Sequence, residues 1–333
     1  MLKLKYIFIY VLTAVLIASC AEFPRESPPE LYWPFPPEKP RVKFLELIIG
    51  SIDVVGVRGK FHRLLFGEET EVTFRKPAYI AVKDNVLYIT DVGVIHVYDF
   101  NKRKFKILGR GLLGNATGIA VSPDGRVFVS DSARKQVFVF NPEDNTATIW
   151  TDTDVFETPA GLEIDEVNER LLVVDSKKHN VTVWSLNGDF LFSIGGRGRD
   201  FGEFNFPYDV AVDKEGKIYV IDTGNFRVQI FDKDGKFLSA FGGVGSNIGS
   251  FARPKGIALD SAGHIYIVDS AFGNFQIFGP DGSVYLVVGS NGNEPGKFTL
   301  PMGIFIDKDD KIYVVDQINR RIQVFQYIKY ENG

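Results

Sequence analysis

Short apolar runs of strand length recur along this chain, separated by Asp-Gly, Asn-Gly and Glu-Gly pairs. The most regular runs are LYITD (87–91), VFVSD (127–131), LLVVD (171–175), IYVID (218–222), IYIVD (265–269) and IYVVD (312–316). They read as one strand written six times, and their final residues Asp91, Asp131, Asp175, Asp222, Asp269 and Asp316 are spaced by 40, 44, 47, 47 and 47. A period of this length is that of a four-stranded propeller blade. Nine residues after each aspartate stands a large aromatic: Phe100, Phe140, Trp184, Phe231, Phe278 and Phe325.

A preceding strand follows the form Pro-x-Gly-Ile-Ala-Val-Asp, as in PAGLEID from Pro159, PYDVAVD from Pro207, PKGIALD from Pro254 and PMGIFID from Pro301. PAYIAVK from Pro77 and the proline-free NATGIAVS are its poorer copies. Turns such as Asp124-Gly125, Asn187-Gly188, Glu215-Gly216 and Asp234-Gly235 supply the positive φ of tight hairpins. Gly-x-Phe-x-x-Pro loops (Gly202/Phe204/Pro207, Gly249/Phe251/Pro254, Gly296/Phe298/Pro301) place a phenylalanine to wedge between blades. The predicted fold is therefore an all-β, six-bladed propeller. The last repeat lacks a fourth strand and residues 42–49 (VKFLELII) lack a partner, so the N-terminal strand is expected to close the last blade. Residues 60–66 (KFHRLLF) have the spacing of one or two helical turns.

These copies resemble the NHL-repeat family over residues 42–327, most closely in repeats three to six. Repeat one departs from it, with Tyr79 where the family has Gly and Asp99 in its third strand. The resemblance implies the propeller fold and does not fix the function.

The first twenty residues, MLKLKYIFIYVLTAVLIASC, carry two lysines, an apolar stretch from Tyr6 to Ala18 and small residues before Cys20. They read as a signal peptide, too short for a comfortable membrane span. Ile17-Ala18-Ser19-Cys20 resembles the acceptor site of bacterial lipoproteins, and Cys20 is the chain's one cysteine. The expectation is a leader over 1–19, lipidation of Cys20 and attachment to a bacterial envelope membrane. Ala21, in place of Asp, favours the outer membrane. A Pro-rich tether over 20–41 would lead to a propeller over 42–329 and a tail over 330–333. Residues 24–40 hold seven of the sixteen prolines, which favours extended chain, although Leu31, Tyr32, Trp33 and Phe35 are bulky for a solvated spacer.

Composition narrows the function. With 45% hydrophobic residues the chain can bury a large core, and a net charge of −4, without any long basic run, argues against nucleic acid as a partner. NHL relatives that cleave amidated peptides hold zinc with channel histidines, whereas His62, His96, His179 and His264 all fall off the innermost strands, as solvated or capping groups. Lactonase-like relatives hold a divalent cation with Glu, Asn and Asp at the channel mouth, which would fall to Glu163, Asp209, Asn115 and Asn205. Glu163 pairing with Lys255 is the structural alternative. The strand-ending aspartates occur in every blade and are read as architecture, accepting backbone N–H groups of the turn that follows.

No catalytic set, metal site or cofactor is expected. The candidate binding rim, placed where the innermost strands begin, comprises Tyr79, Thr117, Glu163, Arg197, Tyr208, Asp209, Arg253, Lys255 and Met302. The chain is thus expected to be a monomeric, membrane-anchored binding scaffold, its partner an unidentified envelope protein or small ligand. A metal-dependent hydrolase or lyase at the channel mouth is the alternative.

Overall fold

The computed structural model describes residues 28–35, 37–56, 71–151 and 154–330. Cys20, the leader and residues 60–66 lie outside them. Six antiparallel sheets surround one axis, and in blades one to five the strands run outward in chain order. Blade three shows the plan: Pro159–Asp165 innermost, then Arg170–Asp175, Asn180–Ser185 and Phe190–Gly195. The sixth sheet takes Pro301–Ile306, Lys311–Asp316 and Arg321–Tyr327 from the end of the chain and Val42–Ile48 from its beginning. Phe44 pairs with Phe325 and Ile48 with Ile322, which is the closure expected from the unpartnered strand. Outside Val42–Ile48 lies one more short strand, Tyr32–Trp33. Trp33 is buried with its ring 5.7 Å from Phe325, and Leu31 packs on the same cluster, so this part of the Pro-rich segment rests on blade six. One short helix, Ile52–Val55, follows the closing strand.

The apolar faces of the strands meet between blades, where six buried clusters lie, one at each junction including that of blades six and one. The loop phenylalanines Phe204, Phe251 and Phe298 are fully buried in three of them. Each slides under a glycine of the outer strand: a Cβ on Gly242, at φ +94°, would stand 2.5 Å from the Phe251 ring.

The strand-ending aspartates are all fully buried. All six bind the loop that brings the chain inward, fifteen to eighteen residues earlier. In blades one, two, three and five they also accept backbone N–H groups of the following turn, as expected, whereas in blades four and six that turn supplies the Asn225 and Asn319 side-chain amides instead. Asp269 accepts from Ala252, Arg253, Ala271 and Phe272; Asp175 accepts from Glu157, Thr158, Lys177 and Lys178. In blades four and six, Arg227 and Arg321 add charged partners at 2.9 and 2.7 Å. Beside these carboxylates, one polar side chain per blade donates to a carbonyl at the start of the next innermost strand. The donors are Thr90 to Thr117, Ser130 to Ala160, Ser176 to Pro207, Thr223 to Pro254, Ser270 to Pro301 and Gln317 to Pro77, and the last bond closes the circle.

Removing a buried carboxylate that satisfies four backbone donors leaves those donors without partners. Asp269→Ala should therefore cost about 3 kcal/mol or more of unfolding free energy in denaturant titration. Replacing the exposed Asp234 of a hairpin turn should stay within about 0.5 kcal/mol.

Candidate functional site

The innermost strands make the channel, and those of blades two to six carry a bulge near their start. In blade four Pro207 pairs with Asp222 and Val210 with Val220, so three steps on one strand oppose two on its neighbour. A bulge of this kind re-aims side chains, and here it sends the second and third residues of the strand toward the axis. The third position is Tyr79, Gly118, Gly161, Asp209, Gly256 and Gly303 around the ring. Four glycines there let adjacent strands approach closely: a Cβ on Gly118 would lie 2.4 Å from the Ala160 carbonyl, and one on Gly256 2.5 Å from that of Met302.

The two exceptions fill the leading half of the channel, where the strands begin. Tyr79 of blade one reaches across the axis, its ring stacked on Tyr208 of blade four at 6.4 Å and its hydroxyl donating to the Lys255 carbonyl at 3.3 Å. Lys255 Nζ stands 3.3 Å from the centre of the Tyr208 ring. Burial, then the neighbouring Arg253 charge, pushes the Lys255 ammonium down to about 8. Burial and Asp209 push the Tyr208 phenol up to about 12. Asp209 lies across Gly161, where a Cβ would meet its carboxylate at 2.0 Å, and accepts the Ile257 N–H at 3.0 Å. Burial raises its carboxyl well above the usual range, against the N–H groups of Ile257 and Val210.

The other rim residues of the leading mouth divide. Thr117 is bound to Ser130 and to the Pro159 carbonyl, and Met302 is buried with its sulfur 3.8 Å from the Ser270 hydroxyl. Arg197 and Arg253 are exposed on the surrounding loops, among the exposed apolar side chains Phe201, Phe206, Val244, Ile248 and Ile318. Asn115 and Asn205 bond to Ser132 and Gly224, away from any carboxylate cluster.

Glu163 belongs elsewhere. It stands two residues beyond the glycine layer, in a ring otherwise made of Ala81, Ala120, Ala211, Ala258 and Phe305. Its neighbourhood is the trailing mouth, where the innermost strands end, and this half is open: a cavity of about 890 Å³ has Glu163, Ala81, Ala120 and Phe305 in its wall and the inner hairpins of blades three to six at its rim, and it extends outward past Ile230, Leu238 and Pro280. Glu163 therefore does not join the leading-mouth residues, and Lys255 lies on Tyr208 instead of pairing with it. Burial, reinforced by Asp209, Glu166 and Asp165, pushes the Glu163 carboxyl up to about 8. Partial exposure into the cavity coexists with protein on all other sides. The inward-facing hairpins could be located from the repeats, but which half of the channel stayed open depended on how far Tyr79 extends across it.

The histidines are more buried than solvated groups would be. His96 lies 3.3 Å from Asp91, His179 Nδ1 accepts the Phe206 N–H, and His264 Nδ1 meets Asp260 at 2.7 Å. Burial opposes ionisation of Asp91, but His96 and three backbone N–H groups hold it below the usual carboxylate range. His62 lies outside the described residues. Among the described residues no three His, Cys, Asp or Glu side chains converge as metal ligands, and no helix is long and apolar enough to cross a membrane.

Known proteins agree with this architecture. A family described as a 6-bladed beta-propeller matches residues 153–225, 214–273 and 260–332, together more than half of the chain, and the NHL repeat matches residues 113–140. An auxiliary nutrient binding protein from Bacteroides thetaiotaomicron superposes with a TM-score of 0.61 at 17% identity, covering 77% of this chain and 70% of that one. One from Bacteroides ovatus gives 0.60 at 13% identity, with the same coverage. Virginiamycin B lyase from Staphylococcus aureus gives 0.56 at 13% identity, covering 76% of this chain and 95% of that one. At such identities the likeness is one of fold.

The Glu163 carboxyl provides a direct check on the cavity. Its pKa in the folded chain, about 8, exceeds the ordinary 4.5, so the native state holds the proton more tightly than the unfolded state. Its contribution to stability is complete below the ordinary value and is lost as pH rises through the window from about 4.5 to about 8. Glu163→Gln keeps the neutral shape at every pH. Its melting temperature relative to the wild type should therefore climb by several degrees between pH 5 and pH 9, and a constant difference would mean an ordinary, solvated carboxyl.

Proposed function

Because the chain belongs to the six-bladed β-propeller family, we propose that it is a binding module that takes a small ligand into the trailing mouth of its channel. We place it on a bacterial envelope membrane, tethered through Cys20. The observation that carries the reading is the asymmetry of the axis. Tyr79, Tyr208, Lys255 and Asp209 occupy the leading half, while the trailing half is a walled cavity of about 890 Å³, within the range of small-molecule sites. The residues that fill the leading half bond to one another and to backbone, the behaviour of a structural plug. The two Bacteroides proteins of this fold are auxiliary nutrient binding proteins, a role of the same kind. The tether rests on the leader-like residues before Cys20 and on several acyl chains holding a protein on a bilayer where one chain would not.

Filling the cavity tests the site. Blade six already carries Phe305 at the strand position that Ala120 occupies in blade two, so the fold accepts a ring there. Small molecules that raise the melting temperature of the wild type should bind Ala120→Phe at least tenfold more weakly. Equal affinity would move the site away from the trailing mouth.

The anchor is tested separately. Cys20→Ala should shift the protein from the membrane pellet to the soluble fraction and remove acyl mass from its N-terminal peptide in mass spectrometry. Retention in the membrane with the wild-type peptide mass would remove lipidation from the proposal.

A further inference from the structure

The trailing mouth is lined by seven carboxylates and four lysines. Most of these charges are already engaged. Asp165 holds Arg170 at 2.8 Å, Asp260 holds His264, and Asp213 and Asp307 each accept a tyrosine hydroxyl and the N–H groups of their own hairpin. Glu215 pairs with Lys217, and Lys83 and Lys214 donate to carbonyls of the next blade. Glu163 differs from them: among the described residues its carboxylate makes no hydrogen bond and no ion pair, and unlike the exposed Glu166, which also has none, it is half-buried in the ring of Ala81, Ala120 and Phe305.

We propose that the trailing mouth binds small organic ammonium ions, the cation held by the Glu163 carboxylate and its apolar body by Ala81, Ala120 and Phe305. This rests on the trailing mouth being the ligand site. A half-buried carboxylate with no partner in the protein is costly to ionise, and an ammonium group entering the cavity supplies one. The excess of carboxylates attracts cations to the mouth and repels anions. A single carboxylate over an apolar floor suits a monovalent organic cation. A hard divalent ion needs several oxygen ligands, and the second carboxylate, Asp209, is one layer deeper, packed on Gly161 and bound to the Ile257 N–H. The charges that act most on Glu163 are Asp209, Glu166 and Asp165, all acidic; Lys83, Lys214, Lys217 and Lys308 line the same mouth, and none of the four bonds to it.

The experiment is isothermal titration of the full chain in detergent with n-butylammonium, 1-butanol and butyrate. Butylammonium should bind saturably, with butyrate at least tenfold weaker. Glu163→Gln should weaken butylammonium at least tenfold and leave butanol unchanged, and Glu163→Asp should keep most of the affinity. At pH 7, butylammonium binding should release up to one proton, read from buffers of different ionisation enthalpy, and Glu163→Gln should abolish that release. If butanol and butylammonium bind equally, or Glu163→Gln changes neither, while Ala120→Phe weakens both, the cation inference falls and the mouth stands. If Ala120→Phe leaves butylammonium untouched, the mouth reading falls and this inference with it.

Discussion

The ring depends on one repeated interaction: a fully buried aspartate at the end of each second strand, clasping the loop that carries the chain inward. That loop must cross from the outside of one blade to the inside of the next, and its backbone donors would otherwise be buried without partners. The carboxylate ends both problems at once, because its oxygens accept from the incoming loop and from the turn that follows its own strand. The requirement varies with the blade. In blades two, three and five backbone N–H groups of two segments surround the carboxylate. In blades four and six the arginine bound to it also reaches loop carbonyls, so that Arg321 ties Asn293, Glu294 and Lys297 to Asp316. Once the loop is fixed, the start of the innermost strand is fixed, and the single polar donor beside each aspartate can reach the next blade.

Close approach of the innermost strands is the second consequence. Strands packed this tightly around an axis admit only glycine at the third position unless a side chain can turn into the channel. Tyr79 and Asp209 do so, and the space they take is what separates a filled leading half from an open trailing half. The channel's character is therefore set by departures from the repeat, two in the glycine layer and two, Glu163 and Phe305, in the alanine layer beyond it.

The repeat was legible because it is enforced by packing that recurs six times. The strand-ending aspartates, the loop phenylalanines and the unpaired strand at residues 42–49 each answer a need common to all blades, and each was found where the pattern put it. The departures were visible as residues but not as geometry. Nothing in the spacing tells that Tyr79 of blade one lies on Tyr208 of blade four, since blades opposite in the ring are far apart in sequence. Lys255 and Glu163, of opposite charge, looked like partners until the bulge put them in different layers, one over an aromatic ring and the other in the trailing mouth. Trp33, within a proline-rich run that favours extended solvated chain, found a buried place only because the closing strand left an outer edge beside Phe325.

Among the departures, what distinguishes a site from a plug is whether the unusual residue is satisfied. Tyr79 has an aromatic neighbour and a carbonyl, Lys255 has a ring beneath its ammonium, and Asp209 has a backbone N–H and a glycine shaped to receive it. Each of these offsets its burial with contacts inside the protein. Glu163 is half-buried with none of that compensation, and it faces the half of the channel that is not filled. A buried group that breaks the local rule without an internal partner is the place where a binding function is expected to have overridden stability. The acidic neighbours make the same point from the other side: Asp209, Glu166 and Asp165 raise the cost of ionising Glu163, and no lysine of the mouth bonds to it, so a cation from outside the chain would lower that cost.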